Sequence, residues 1–196
     1  MLLSIQVPTV IGREQTFNKL TNHIQKCISL VAPNDIEFLS CKDNKEISIG
    51  RKRQLLYESS KGKYSWQIDD DDFITNDAIQ LIYEACKEDA DCITFQEKCI
   101  FVGQHPLIRL ANHSIKYQRW AEHKDGFYYV RTPYFKDVIK TEHCLKAGVK
   151  DVRFGEDHLF AVAIKPLLKT EVHISKPLYI YEYSRTEAHN KKYGIK

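Results

Sequence analysis

Apolar and polar positions follow two alternating periods along the first half of this chain. Residues 3–8 alternate apolar side chains with Ser4 and Gln6, which predicts a short strand. Over residues 14–28, Phe17, Leu20, Ile24, Cys27 and Ile28 recur at helical spacing. Pro33-Asn34-Asp35 marks a turn, and residues 36–40 read as a second strand ending at Cys41-Lys42-Asp43-Asn44. Residues 50–60 predict a short basic helix with Arg51, Lys52 and Arg53, its inner side formed by Leu55 and Leu56. Gly62 breaks it, and residues 64–68 form the third predicted strand. A helix is predicted over 76–87, capped by Thr75, with Ile79, Ile82, Tyr83 and Cys86 turned inward. Residues 92–95 are a fourth strand, continuing through 99–102.

The second half is less regular. Residues 105–123 show no clear period and carry Tyr117, Arg119 and Trp120, as expected of a long functional or mobile connection. A strand is predicted over 127–131 and a weakly amphipathic helix over 137–147, ended by Gly148. Phe154-Gly155-Glu156-Asp157-His158 opens a helix that runs to about residue 164, before Pro166. A final strand region covers 171–183, followed by a basic tail with His189. Strand–helix repetition of this kind predicts an α/β fold with a mostly parallel sheet and right-handed crossovers. Ligands bind beyond the carboxyl ends of such strands, where Pro8-Thr9, Asp43 and Asp69–Asp72 all fall.

Composition narrows the classes. A chain of 196 residues is most simply one domain with a real core. Its 29 basic and 26 acidic residues leave a net charge of +3, too mild for a nucleic-acid binder. No apolar run reaches the ~20 residues of a membrane span, and the start of the chain is too short and uncharged for a signal peptide. The six cysteines contain no CxxC pair and read as reduced, buried side chains of a cytoplasmic protein. A basic tail with Lys191, Lys192 and Lys196 leaves peripheral contact with a membrane open, although a solvated end fits its small charge better.

Asp69, Asp70, Asp71 and Asp72 stand in one run at the end of the third predicted strand. Two like charges about 5 Å apart repel by roughly 3 kcal/mol at an effective dielectric near 20. The run is therefore either a solvated turn capping the next helix or a cation site. Strand alternation would bring Asp69 and Asp71 to one side. Such oxygen-only ligands suit Mg²⁺ or Mn²⁺ shared with substrate phosphates.

Ser4-Ile5-Gln6-Val7-Pro8-Thr9, Gly50-Arg51-Lys52-Arg53, Lys61-Gly62-Lys63-Tyr64, the aspartate run, Gly155-Glu156-Asp157 and His189 together resemble the family 2 glycosyltransferases, in that family's order. The resemblance spans nearly the whole chain. It implies a GT-A-type α/β/α sandwich forming a single domain over 1–196. Residues 1–102 would be its Rossmann-like nucleotide-sugar half and 103–196 its acceptor half. It implies an inverting transfer from a nucleotide-diphosphate sugar, with uracil the usual base, to a glycan, lipid-linked or other hydroxyl acceptor. Asp69-x-Asp71 resembles the DxD motif, with Asp71 on Mn²⁺ or Mg²⁺ and Asp69 or Asp70 facing the ribose or the metal's water shell. His189 resembles the histidine that completes the metal shell. Pro8, Thr9, Arg13, Asp43 and Arg53 fall at donor positions, Asp157 matches the general base, and Glu156 is its neighbour in the motif. Trp120, Tyr128 and Tyr134 are aromatics suited to stacking on acceptor rings or to core packing.

The chain departs from the family where Val10-Ile11-Gly12 replaces the usual Tyr-Asn, where Lys42 replaces an acid, and where Gln54 replaces Asn. These departures touch the donor base more than the reaction. A metal-dependent nucleotidyl or phosphoryl transferase, or a silent nucleotide-sugar-binding module, would use similar residues.

Overall fold

The computed structural model describes residues 1–101 and 107–183. Its described strands form one ten-stranded sheet. β1 (Leu3–Val10) lies between β2 (Ile36–Asp43) and β3 (Tyr64–Gln67), parallel to both. β9 (Val138–Lys140) runs antiparallel between β3 and the first residues of β5 (Cys92–Phe101). β5 therefore points the same way as β1–β3, and β10 (Glu171–Tyr183) pairs parallel along its other edge. The remaining strands are β4 (Phe73–Ile74), β6 (Leu107–His113), β7 (Ala121–Lys124) and β8 (Phe127–Arg131).

Two helical layers cover this sheet because its strands have unlike faces. Leu3, Ile5, Val7, Tyr64, Trp66 and Ile68 share one apolar cluster with α1 (Glu14–Val31) and α3 (Ala78–Cys86). The other face of the same strands is polar yet fully buried. Gln67 Nε2 donates to Gln6 Oε1 at 2.8 Å, and Gln6 Nε2 donates to Ser65 Oγ at 3.1 Å. Over that side lies α2 (Ile49–Ser59), and a second apolar cluster joins it to α4 (Thr141–Ala147) and α5 (Glu156–Ile164). Buried polar groups are costly unless bonded, so this row is a set of fixed anchors rather than a second greasy layer.

Two glycines shape the loop before α5. A Cβ on Gly50 would stand 1.9 Å from the Lys150 carbonyl oxygen, so only glycine lets α2 and that loop approach so closely. Gly155 has a φ of 77° at the start of α5, a left-handed turn that glycine adopts without strain.

Four local expectations change. The stretch 105–123 contains β6 and β7, not only a connection. β6 passes from exposed at Leu107–Leu110 to buried at Ala111–His113, so no single period marks it. The predicted helix over 137–147 begins as β9, because Val138 and Ile139 fill the gap between the open edges of β3 and β5; only Thr141–Ala147 is helical. Thr75 is not the cap of α3, since its hydroxyl bonds Asp77 and no side chain caps that helix. In α2, Lys52 and Arg53 are buried beside Leu56, while Leu55 is only half-buried.

One corner stands on a single carboxylate. Asp91 Oδ2 accepts from the backbone N–H of Lys169 and Thr170 at 2.8 and 3.0 Å, and Oδ1 faces His143 Nε2 at 3.1 Å. Burial works to raise this carboxyl's pKa, but those bonds outweigh it and hold the group below the usual carboxylate range. A folded-state value below the unfolded one gives stability that is present above the unfolded value and lost as pH falls through the folded one. Asp91→Ala is expected to cost about 1–3 kcal/mol near neutral pH and to flatten the acid limb of the stability curve, read by urea unfolding between pH 3 and pH 7.

Candidate functional site

Arg53 is the hub of the site, and the polar side of the sheet places it. Gln67 Oε1 accepts from Arg53 Nη1 at 3.3 Å, while Gln67 Nε2 donates to the Arg53 carbonyl at 3.0 Å. The guanidinium lies 3.4 Å from the centre of the Phe135 ring. Its remaining nitrogens reach two acids from distant parts of the chain, Asp69 Oδ1 at 2.8 Å and Glu156 Oε1 at 3.4 Å. Burial opposes the charge on Arg53, yet Asp69 and Glu156 raise its pKa above the ordinary value. One buried cation thus joins the aspartate run to the Gly-Glu-Asp segment.

The four aspartates occupy a turn, closed by Asp72 N–H to the Asp69 carbonyl at 3.1 Å, and strand alternation does not apply to them. Their partners differ, with Arg13 shared by Asp70 and Asp71. Asp70 is 2% exposed and accepts from Thr9 Oγ1 and Arg13 Nη1, both at 2.6 Å. Burial, with Asp71 and Asp69 nearby, still raises its pKa. Asp71 is half-exposed and meets Arg13 Nη2 at 2.5 Å. Asp72 points inward, where Tyr179 Oη donates to it at 2.7 Å and Lys136 Nζ lies 3.0 Å away. A fully solvated acidic turn is excluded by the burial of Asp70 and Asp72.

Two clefts meet at this hub. The first, of about 240 Å³, is lined by Pro8, Thr9, Arg13, Asp70 and Asp71 together with Arg53 and Asp69. The second, of about 310 Å³, is lined by Glu156, Asp157, Tyr134 and Trp120, again with Arg53 and Asp69. Asp71 and Asp157 therefore open onto adjoining clefts with a common wall. Asp157 is about two-fifths exposed, with Oδ2 3.6 Å from Arg131 Nη1. Asp43 stands behind the first cleft, paired with Lys52 and accepting from Ile47 N–H at 2.9 Å. Burial tends to raise its pKa, but Lys52 and the backbone bonds hold it at about 2. Tyr128 packs edge-on against Phe101 and lines neither cleft. His189 lies outside the described residues.

Beneath the second cleft is a buried cluster with no motif of its own. Lys136, 5% exposed, lies 3.0 Å from Asp72 Oδ2 and 3.5 Å from Glu97 Oε2. Burial disfavours its charge, but Asp72 and Glu97 drive its pKa well above the ordinary value. Burial is likewise the largest influence on Asp72, and its carboxyl is pushed up to about 7. A lone lysine in Tyr134-Phe135-Lys136 and a lone acid in the apolar strand Cys92–Phe101 were the available signals. Arg131, whose guanidinium stacks 3.2 Å over the Tyr134 ring, carried none.

Among the described residues no three His, Cys, Asp or Glu side chains converge on one point. Asp69 and Asp71 each give one oxygen to an arginine and keep the other, so as hard-oxygen donors they fit a divalent ion whose shell is mostly substrate phosphate and water.

No protein-family model matches the chain, and neither does any curated protein sequence. Solved structures do. The S. aureus TarS 1–349 complex with UDP-GlcNAc superposes with a TM-score of 0.66 at 14% identity, covering 97% of this chain and 61% of that one. The complex with UDP gives 0.64 at 15% identity, covering 94% and 61%. A further S. aureus TarS 1–349 structure gives 0.64 at 15%, covering 93% of this chain. This chain thus spans about three-fifths of the length of those TarS chains, 60% in the last case. Likeness at such identity speaks for architecture: the chain has the GT-A fold, the mixed α/β sheet flanked by helices that these structures share.

Proposed function

We propose that this chain is an inverting family 2 glycosyltransferase that moves a sugar from a UDP-type donor to an acceptor hydroxyl. The observation that carries this reading is the Arg53 hub, which ties Asp69 of the aspartate run and Glu156 of the Gly-Glu-Asp segment into one wall between two clefts. The UDP-GlcNAc and UDP complexes of S. aureus TarS, which shares the fold, support the choice of donor.

In this reading the cleft of Pro8, Thr9 and Arg13 takes the nucleotide, and the cleft of Asp157 takes the sugar and the acceptor. Asp69 and Asp71, with His189, would hold Mn²⁺ or Mg²⁺, which neutralises the charge growing on the departing diphosphate. Arg53, fixed by Gln67 and Phe135, keeps Asp69 in place. Asp157 accepts the proton of the acceptor hydroxyl as that oxygen forms its bond to the anomeric carbon. The bond from that carbon to the diphosphate oxygen breaks on the opposite face, and UDP leaves. Arg131 sets the direction of the Asp157 carboxylate. Lys52 braces the nucleotide side by binding both the Thr9 carbonyl, at 2.7 Å, and Asp43.

The test is a panel of nucleotide sugars with Mn²⁺ and a candidate acceptor, scored for nucleotide release. UDP release that stops with a chelator and returns with Mn²⁺ is the expected result. Pyrophosphate release would mean a nucleotidyl transferase. Binding without turnover would mean a silent module. Nucleotide binding is read separately by thermal shift, where UDP at a hundred times its dissociation constant adds about 2.7 kcal/mol.

A further inference from the structure

Beyond the catalytic cleft the structure continues into a third, smaller one of about 170 Å³, and the two share Trp120 and Arg131. Its chemistry differs from everything around the Arg53 hub. Arg119, Arg131 and Lys165 line it, and among the described residues no carboxylate does. Lys165 is oriented by Gln118, whose carbonyl accepts from its Nζ at 3.0 Å, and has no acidic partner among the described residues. Thr132 also lines the cleft. Its residue is 6% exposed, and its buried hydroxyl finds no hydrogen-bond partner among the described residues. The buried Arg131 Nε is likewise unpartnered there. Both atoms are closed to the cleft as it stands, so recognition of a ligand falls to the arginine and lysine groups that line it. α5 contributes His158, Ala161 and Val162 to the lining, and the Trp120 ring is half-exposed.

We infer that this cleft is an acceptor subsite for an anionic saccharide, with the phosphate or carboxylate held by Arg119, Arg131 and Lys165 and the ring laid against Trp120. Guanidinium and ammonium groups bind such anions through charge-assisted hydrogen bonds. An amphipathic aromatic at a wet cleft mouth covers the carbon face of a sugar ring. An acceptor seated here extends towards Asp157, because Arg131 lines both clefts and lies 3.6 Å from that carboxylate. The inference rests on the glycosyltransferase reading for the word acceptor, and on the cleft alone for the anion.

The indole N–H of Trp120 provides the readout. The chain has two tryptophans, and the other, Trp66, is fully buried with its Nε1 donating to the Lys136 carbonyl. Titration with glucose 6-phosphate, followed by NMR, is expected to move the Trp120 signal saturably and about tenfold more tightly than glucose does. The exposed-side double variant Arg119→Gln/Lys165→Gln is expected to erase that preference while keeping the UDP thermal shift. Equal binding of glucose and its phosphate, or an undiminished preference in the double variant, overturns the inference. Failure of UDP to bind while the preference stands removes the donor assignment and leaves the anion cleft in place. Pelleting with phosphatidylglycerol but not phosphatidylcholine vesicles, lost in the double variant, assigns the anion to a lipid headgroup. The glucose 6-phosphate preference without pelleting assigns it to a free sugar.

Discussion

Asp157→Asn is expected to lower sugar transfer by about 10²–10⁴-fold, the usual worth of a general base, while UDP still raises the melting temperature as in the wild type. The replacement is isosteric and keeps an oxygen for Arg131, which lies 3.6 Å from the carboxylate. What it would remove, in the proposed reaction, is the basicity that takes the hydroxyl proton. Stability should barely change, because Asp157 is about two-fifths exposed and its arginine partner also stacks on Tyr134. Glu156→Gln gives the useful contrast. Glu156 is 9% exposed and bonds Arg53, so its loss should disturb Asp69 and weaken UDP binding along with turnover. Steady-state kinetics and thermal shift on the two variants separate a proton acceptor from a brace. If Asp157→Asn keeps full turnover, the base has been misplaced.

Lys136→Met is expected to destabilise the fold by about 3–5 kcal/mol, the cost of removing one partner from a buried ion cluster. In a chain of this length that lowers the melting temperature by on the order of 10 °C. The reason is specific to the surroundings. Lys136 Nζ lies 3.0 Å from Asp72 and 3.5 Å from Glu97, and both acids are within a few per cent of full burial. Methionine matches the stem but leaves the buried Asp72 and Glu97 carboxyls without their cation. Adding Glu97→Gln should recover at least half of the loss, since it removes one stranded charge. Urea denaturation of the single and double variants measures the coupling. A double-variant loss equal to the sum of the separate Lys136→Met and Glu97→Gln losses would show that Lys136 and Glu97 act independently.

These cases also show where sequence and fold part company. The order of the major strands and helices was legible wherever one face of an element is apolar: Leu3, Ile5 and Val7 in β1, or Leu20, Ile24 and Ile28 in α1. β6 was not legible, because it crosses from solvent to core along its length. β9 was not either, because three residues take their partners from β3 and β5 rather than from each other.

For the site, local chemistry singled out the aspartate run by its density of charge, and strand ends placed Pro8-Thr9 and Asp43 near it, whereas Arg13, Arg53 and Glu156-Asp157 stood out only through the resemblance to the family 2 glycosyltransferases. Local chemistry did not reveal which aspartate does what. Asp69, Asp70, Asp71 and Asp72 are identical neighbours, and they differ only because Arg53, the pair Thr9 and Arg13, and Lys136 arrive from three different segments. Lys136, Glu97 and Arg131 gained their roles in the same way. A sequence records which groups are present, whereas burial and the sign of the nearest charge are properties of contacts, and here those contacts join residues dozens of positions apart.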